Sequence, residues 1–246
     1  MRGLTDMHCH ALYGVDDGAR DIAESLEMLR IMHDEGVEKV FFTPHYHGGH
    51  MEPDAGTIRD HFGKLQKAAA GDPVLVDMEM YLGSEIYYYP SVSEWIEEGR
   101  VLSMAGSRYV LLEFGYTMDA RMIYDGVSRV ALEGFYPIVA HVERYRSLVG
   151  NMKAIRELIS RGALIQINSG SLSGPYRIRS FVRKLLKCGM VHFVATDAHD
   201  TSQRAPHIAK AAEYIRKHYG EDLCSELFVY NPARILSDGS DQMSGE

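Results

Sequence analysis

The chain has little cysteine, little cationic charge and no long apolar run. Three cysteines, Cys9, Cys188 and Cys224, stand in 246 residues at spacings that fit neither a disulfide framework nor a Cys-rich zinc finger, so a reducing, cytoplasmic compartment is expected. No stretch is apolar enough to span a bilayer, and Met1–Asp6 lacks the apolar core of a signal peptide, which argues against membrane insertion. Lys and Arg total 26 against 34 Asp and Glu, a net charge of −8, and this deficit argues against nucleic acid as a partner. A phosphorylated substrate stays compatible, because bound cations can invert the local field on an acidic protein. With 46% hydrophobic and 24% charged residues the composition is that of a globular enzyme, not of a disordered chain. No Pro/Gly/Ser-rich linker divides it and no repeat is evident. One domain over residues 1–236 is expected, with the Ser-, Gly- and Asp-rich stretch 237–246 as a frayed, flexible tail.

What is present is an alternation of β-rich and helical patterns, the signature of βα units around a parallel sheet. Strands are expected at 3–8, 38–43, 74–83, 108–114, 136–140, 163–168 and 191–196. The first helix is the best specified: Asp21 is its N-cap, Glu24 follows three residues on, Gly36 stops it, and Ile22, Leu26 and Leu29 form its buried face. Further helical patterns lie near 57–70, 119–134, 152–161 and 176–188. A last long helix is expected to begin near Pro206, with Ile208, Ala211, Ile215 and Tyr219 on one side.

Chemistry collects at the ends of these strands. In Asp6-Met7-His8-Cys9-His10 the period of two sends His8 and His10 to one side and Cys9 to the other. Asp16 and Asp17 follow in the next loop, and spacing alone does not choose between them. His45 follows the second strand and Glu85 the third; Glu113, His141 and the pair Asp197 and His199 end later ones. In a parallel barrel all C-terminal strand ends open on one rim, so six of the seven strands deliver an imidazole or carboxylate to one place. Acids packed so closely raise one another's pKa unless cations compensate them. Imidazole and carboxylate without thiolate suit Mn, Fe or Zn, and nine donors are enough for two or three ions. Multinuclear sites of this kind activate water and clamp phosphoryl oxygens, which points to phosphate-ester hydrolysis. Arg144 and Arg204, on the same rim, are expected to grip the phosphate.

Thiol-based phosphatase chemistry fails on the sequence. It needs Cys followed six positions later by Arg, and Cys9, Cys188 and Cys224 are followed there by Val15, Val194 and Tyr230. Tyr87, Tyr88, Tyr89 and Trp95 are read as packing of a loop onto the barrel, with lining of the mouth of the site as the alternative, and His47 and His50 as flexible surface histidines.

These motifs, with Thr43-Pro44-His45, Gly83-Ser84-Glu85-Ile86-Tyr87-Tyr88, Leu112-Glu113-Phe114, Ala140-His141-Val142-Glu143-Arg144-Tyr145 and Thr196-Asp197-Ala198-His199, resemble the PHP (polymerase and histidinol phosphatase) superfamily. Within it the chain is similar to bacterial metal-dependent protein-tyrosine phosphatases of the CpsB/CapC capsule and exopolysaccharide type. The resemblance implies an α/β fold, a distorted (β/α)7 barrel with parallel strands and outer helices, and three divalent metal ions, commonly manganese. It implies the ligands His8, His10, Asp17, His45, Glu85, Glu113, His141, Asp197 and His199, with Arg144 and Arg204 on the phosphate. The substrate it implies is a tyrosine-phosphorylated protein, a cognate bacterial tyrosine kinase. A histidinol-phosphate phosphatase or another small-molecule PHP phosphoesterase is the alternative.

Overall fold

The computed structural model describes residues 2–243, with side chains to Gly239. Its strands are β1 (Leu4–Cys9), β2 (Val37–Phe42), β3 (His45–Tyr46), β4 (Glu79–Leu82), β5 (Glu85–Tyr87), β6 (Tyr109–Glu113), β7 (Tyr136–Val139), β8 (Leu164–Asn168) and β9 (Phe193–Ala195). Its helices are α1 (Ile22–Asp34), α2 (Ala55–Ala70), α3 (Val92–Glu97), α4 (Ala120–Leu132), α5 (Met152–Ser160), α6 (Tyr176–Lys187), α7 (Ala209–Tyr219), α8 (Glu221–Ser225) and α9 (Asn231–Met243).

Every paired strand is parallel, in the orders β1-β2-β4 and β3-β5-β6-β7-β8-β9. Two of the barrel strands are split. β2 and β3 are halves of one strand broken at Thr43-Pro44, where proline offers no N–H to a ladder, and β4 and β5 are halves of another broken at Gly83-Ser84. The ring closes where Cys9 bridges to Ala198, with His10 N donating to Ala198 O (2.8 Å) and Asp197 N to His8 O (2.9 Å). Below this seam the buried Asp6 carboxylate accepts from Thr196 N at 3.0 Å and from the Thr196 hydroxyl. Seven strands in sequence order therefore form the expected (β/α)7 barrel.

Side-chain alternation divides the core in two. Inward residues Met7, Phe41, Tyr81, Leu111, Ile138, Phe193 and Ala195 fill the lumen, joined by Met104 and by Ile235 of α9. Outward residues such as Val40, Val110, Leu112, Val139, Ile165, Ile167 and Val194 pack in a separate layer with the helices. The α1 start is as expected, with Asp21 accepting from Glu24 N at 2.9 Å. Glu24, however, reaches back to Arg20 N, one residue beyond the cap (2.9 Å). The buried face of α1 centres on Ser25, Met28, Leu29 and Met32, which leaves Ile22 and Leu26 at its flank.

Three expectations differ from the structure. The strand expected at 74–83 begins only at Glu79; Asp72 turns the chain before it, its side chain accepting from Val74 N (2.8 Å) and its carbonyl from Leu75 N (3.1 Å). α7 begins at Ala209, beyond Pro206, because the Glu35 carboxylate accepts from Ile208 N (3.1 Å) and Ala209 N (2.7 Å) and so caps it from outside. Residues 237–243, expected as part of a frayed tail, continue α9. Asp238 accepts from Arg108 N at 2.7 Å, and a Cβ on Gly239 would stand 2.6 Å from Ala105 O, so this glycine permits a close approach. Residues 244–246 lie outside the described residues.

Candidate metal centre

Inward alternation carries the chemistry to the rim. Phe41 to His45, Tyr81 to Glu85, Leu111 to Glu113 and Ala195 to Asp197 each keep the lumen-facing parity. β8 does the same with Leu164, Gln166 and Asn168. Two strands need a correction of parity. The β1–β2 register shifts between Asp6 and Cys9, which lets Met7 face the lumen while His8 and His10 face the cluster above it. His141 follows the inward Ala140 and should point outward; its left-handed backbone (φ 30°, ψ 56°) turns it in. Asp197 is also left-handed (φ 54°). Non-glycine residues rarely adopt this region, and such strain gathers at functional sites.

Three donor groups overlap. His8, His10, Glu85 and Asp197 form the first, His10, Asp17, His45 and His199 the second, and His45, Glu85 and Glu113 the third. In the first, His8 Nε2 and His10 Nε2 lie 3.3 Å apart, each is 3.3 Å from Glu85 Oε2, and Asp197 Oδ1 is 3.7 and 3.5 Å away. Asp17 Oδ1 stands 3.6 Å from His45 Nε2 and 3.5 Å from His199 Nε2. His141 Nε2 joins the third group at 2.8 Å from Glu85 Oε1 and 3.7 Å from Glu113 Oε1. All nine residues expected from the sequence are therefore in one cluster.

The donor set fits cations. Glu85 Oε2 and His199 Nε2 are buried without an aligned hydrogen bond, Glu85 Oε2 having only the ion-pair contacts of the facing rings, His45 Nδ1 at 2.9 Å among them, and a cation among these donors would complete both. Burial pushes Glu85 up, yet the facing His8 and His45 hold it well below the usual carboxylate range. Asp197 is likewise held down, against its burial, by His10, His8 and Arg144. Glu113 is raised by burial and by Glu85. Burial and the neighbouring His10 push His199 down to about 2, which keeps its lone pair free. Ionised carboxylates and neutral imidazoles are the ligating forms. His10 is pushed up, against burial, by Asp16, Asp197 and Glu85, and a cation at its Nε2 would take the place of that proton.

Supporting groups aim the rings. His10 Nδ1 donates to Asp16 Oδ2 (2.7 Å), His8 Nδ1 to Gln166 Oε1 (3.5 Å) and His199 Nδ1 to Asp197 O (3.0 Å). In each case Nε2 is left for the cluster. Asp16 also accepts from Gly18 N (2.9 Å) and His45 N (3.0 Å), and a Cβ on Gly18 would overlap His10 O at 2.0 Å. The adjacent aspartates thus have different places: Asp16 is buried behind His10 and Asp17 faces the donors. β8 offered no ligand to the sequence reading, yet its amides run beneath the site. Gln166 Oε1 accepts from His141 N, Gln166 Nε2 donates to Asn168 Oδ1 (2.9 Å), and Asn168 Nδ2 donates to Asp197 Oδ2 (2.8 Å). An inward polar alternation at 166 and 168 is the one signal that could have found them.

Above the cluster opens a cleft of about 1130 Å³, lined among others by Asp17, His45, His47, His50, Glu113, Tyr116, Arg144 and Arg204. Arg144 lies 2.6 Å from Asp197 Oδ2 and Arg204 3.0 Å from Asp197 Oδ1. Both expected arginines thus converge on one carboxylate while about a third of each side chain stays exposed. Tyr116, which the sequence reading passed over, is the aromatic ring at the mouth, 6.2 Å edge-on to His141. Tyr88 stacks on Phe114, Tyr89 donates to Gly48 O (3.1 Å) and Trp95 packs on Tyr46. These rings are the packing that was expected. His47 is not a loose surface residue: it is half-buried and stacks on Tyr87 at 4.1 Å. Cys9 is buried, its thiol donating to Phe41 O (3.4 Å), away from the cluster.

Comparison with known proteins gives concordant findings. Residues 4–237 match the family described as "Capsular polysaccharide synthesis, CpsB/CapC". The chain is 35% identical over 242 residues to the tyrosine-protein phosphatase CpsB of Streptococcus pneumoniae, covering 96% of this chain and 99% of that one. It is 31% identical over 222 residues to the tyrosine-protein phosphatase YwqE of Bacillus subtilis, covering 89% and 87%. In structure it is similar, with a TM-score of 0.83 and 29% identity over 96% of this chain and 93% of the other, to a chain from the crystal structures of YwqE from B. subtilis and CpsB from S. pneumoniae, described as unique metal-dependent tyrosine phosphatases.

Proposed function

This chain belongs to the CpsB/CapC family, and on that premise we propose that it is a metal-dependent protein-tyrosine phosphatase of capsule or exopolysaccharide regulation. Its ligands are His8, His10, Asp17, His45, Glu85, Glu113, His141, Asp197 and His199. They hold three divalent cations, manganese in the first instance. Its substrate is a tyrosine-phosphorylated protein, a cognate bacterial tyrosine kinase met in the cytoplasm. The observation that carries the reading is the buried donor cluster with orphaned atoms on Glu85 and His199, directly beneath two arginines that share Asp197.

Bound cations supply Lewis acidity, which makes water nucleophilic at neutral pH and draws charge from phosphoryl oxygens. The chain's own residues do the rest. Asp197 anchors both guanidiniums, so their remaining N–H groups are aimed before substrate arrives and stabilise the charge that grows on the phosphoryl oxygens. Tyr116, 48% exposed at the mouth, offers its ring to the ring of the phosphotyrosine. A phenol of pKa about 10 departs without strong protonation. The alkoxide of histidinol is a much poorer leaving group, and the relatives named above are tyrosine phosphatases.

The test compares kcat/KM for a phosphotyrosyl peptide and for histidinol phosphate, with elemental analysis of the natively purified protein. The peptide should be the better substrate, and activity should vanish on chelation and return with manganese. Faster turnover of histidinol phosphate would move the protein to the alternative, and absence of bound transition metal would sink the metal assignment.

A further inference from the structure

The cleft is larger than one phosphotyrosine side chain requires, since roughly 300–1,000 Å³ encloses a whole drug-sized ligand and this one measures about 1130 Å³. Beyond Arg144 and Arg204 its lining continues onto Arg146, Val149, Pro175, Arg177 and Ile178. Arg146 and Arg177 are exposed, and neither guanidinium is ion-paired among the described residues. Elsewhere on the surface Arg20 pairs with Glu24, Arg30 with Asp72, Arg108 with Asp238 and Arg161 with Glu157, and what sets Arg146 and Arg177 apart from the other unpaired arginines is their place in the cleft lining. On a chain of net charge −8 with acids to spare, two cleft-facing arginines are left open. Arg177 also lies in the first turn of α6, a helix with five basic residues and no acidic one, so no acid of its own helix neutralises it. The groups of opposite sign in the cleft lining, Asp17, Glu113 and Glu143, belong to the donor cluster or its support: Glu143 Oε1 is occupied by Asn168 N at 2.8 Å and Ser171 Oγ at 2.6 Å.

We propose that Arg146 and Arg177, which share the cleft lining with the apolar Val149, Pro175 and Ile178, form a second anionic subsite that selects substrates with a negatively charged residue flanking the phosphotyrosine. This rests on the phosphatase reading and refines its substrate class. A guanidinium fork accepts a carboxylate or a phosphate alike, so the flanking charge is an acidic side chain or a second phosphorylated tyrosine. Such a subsite contributes binding energy only to long substrates. It therefore acts on the KM of a peptide and leaves a single aryl phosphate without a contact there.

The experiment measures kcat/KM for p-nitrophenyl phosphate and for phosphotyrosyl peptides with glutamate, lysine, neutral or phosphotyrosine flanks, using the metal-loaded protein and its Arg146→Gln, Arg177→Gln and doubly substituted variants. The unsubstituted protein should prefer the anionic flanks over neutral ones by about tenfold, the value of one good charge-assisted contact, and added salt should erode the preference. The double substitution should abolish it through KM, Arg177→Lys should restore part of it, and Arg177→Glu should favour lysine flanks. Glutamate and phosphotyrosine peptides separate the two sources of charge. Circular dichroism checks that the variants are folded. An equal anionic-to-neutral ratio before and after the double substitution overturns the subsite while leaving the phosphatase intact. Failure of the unsubstituted protein to turn over any phosphotyrosyl substrate overturns the phosphatase reading itself.

Discussion

The donor cluster has a closed side and an open side. The side chains of His8, His10, Glu85 and Asp197 are at most 1% exposed, whereas Asp17 is 56%, His45 21% and Glu113 14% exposed. Four fully buried donors around one point resemble a structural metal site, whereas groups whose donors reach solvent leave room for water and substrate to approach, as in catalytic sites. One cluster thus combines a position built for retention with positions built for exchange. Asp197 belongs to the closed side and also holds both cleft arginines, so it joins the two.

The comparison is broken most severely at that joint. Asp197→Ala should cut kcat/KM by more than about a hundredfold, beyond the range of a supporting residue, and should lower bound metal at the same time. Kinetics with elemental analysis of the variant checks this, and full turnover from a metal-poor Asp197→Ala protein would contradict the scheme. On the open side, Asp17→Asn should lose about 10–100-fold in kcat/KM yet keep the closed group loaded, with activity partly recovered as cation is titrated in. Equal metal loss in both variants would erase the distinction. Beneath the cluster, Gln166→Leu removes the acceptor of His8 Nδ1 and His141 N and should weaken metal affinity about tenfold, read by competition with a chelating dye.

The smallest effect belongs to the far end of the barrel. Burial lowers the His192 pKa below 6.5, and its Nδ1 stands 3.0 Å from Ile165 N as an acceptor, a role only the neutral ring can fill. The unfolded chain takes up this proton first as pH falls. The stability from neutral His192 is therefore complete above about pH 6.5 and is lost on acidification through the lowered folded value. His192→Asn should flatten the fall in melting temperature over that window without changing metal content.

Strand parity explains what was legible in the sequence. The ligating types at 45, 85, 113 and 197 continue the inward positions of their strands, so seven apolar runs and the polar residues that end them located both barrel and cluster. Where parity breaks, types alone carried the reading: His141 needs a left-handed backbone and His8 a register shift, and neither leaves a mark in residue spacing. Asp16 and Asp17 are neighbours whose different places depend on a turn closed by Gly18. Gln166 and Asn168 escaped because an amide is no metal ligand and its support is visible only with partners in place. The Ser-, Gly- and Asp-rich composition beyond residue 236 masked the last turns of α9, whose Gly239 is small because Ala105 O is near.

The seam between β1 and β9 gives the barrel an order of assembly. Its two cross-links run through His8, His10, Asp197 and Ala198, so the atoms that shut the ring are neighbours of the atoms that would bind metal. A ribosome delivers β1 before β9, and until β9 arrives the growing polypeptide carries all but two of the donors, with β1 paired to β2 alone and the seam side of His8 and His10 unfixed. Maturation is thereby tied to completion: a chain stalled or clipped before Thr196 would hold metal weakly and hydrolyse nothing.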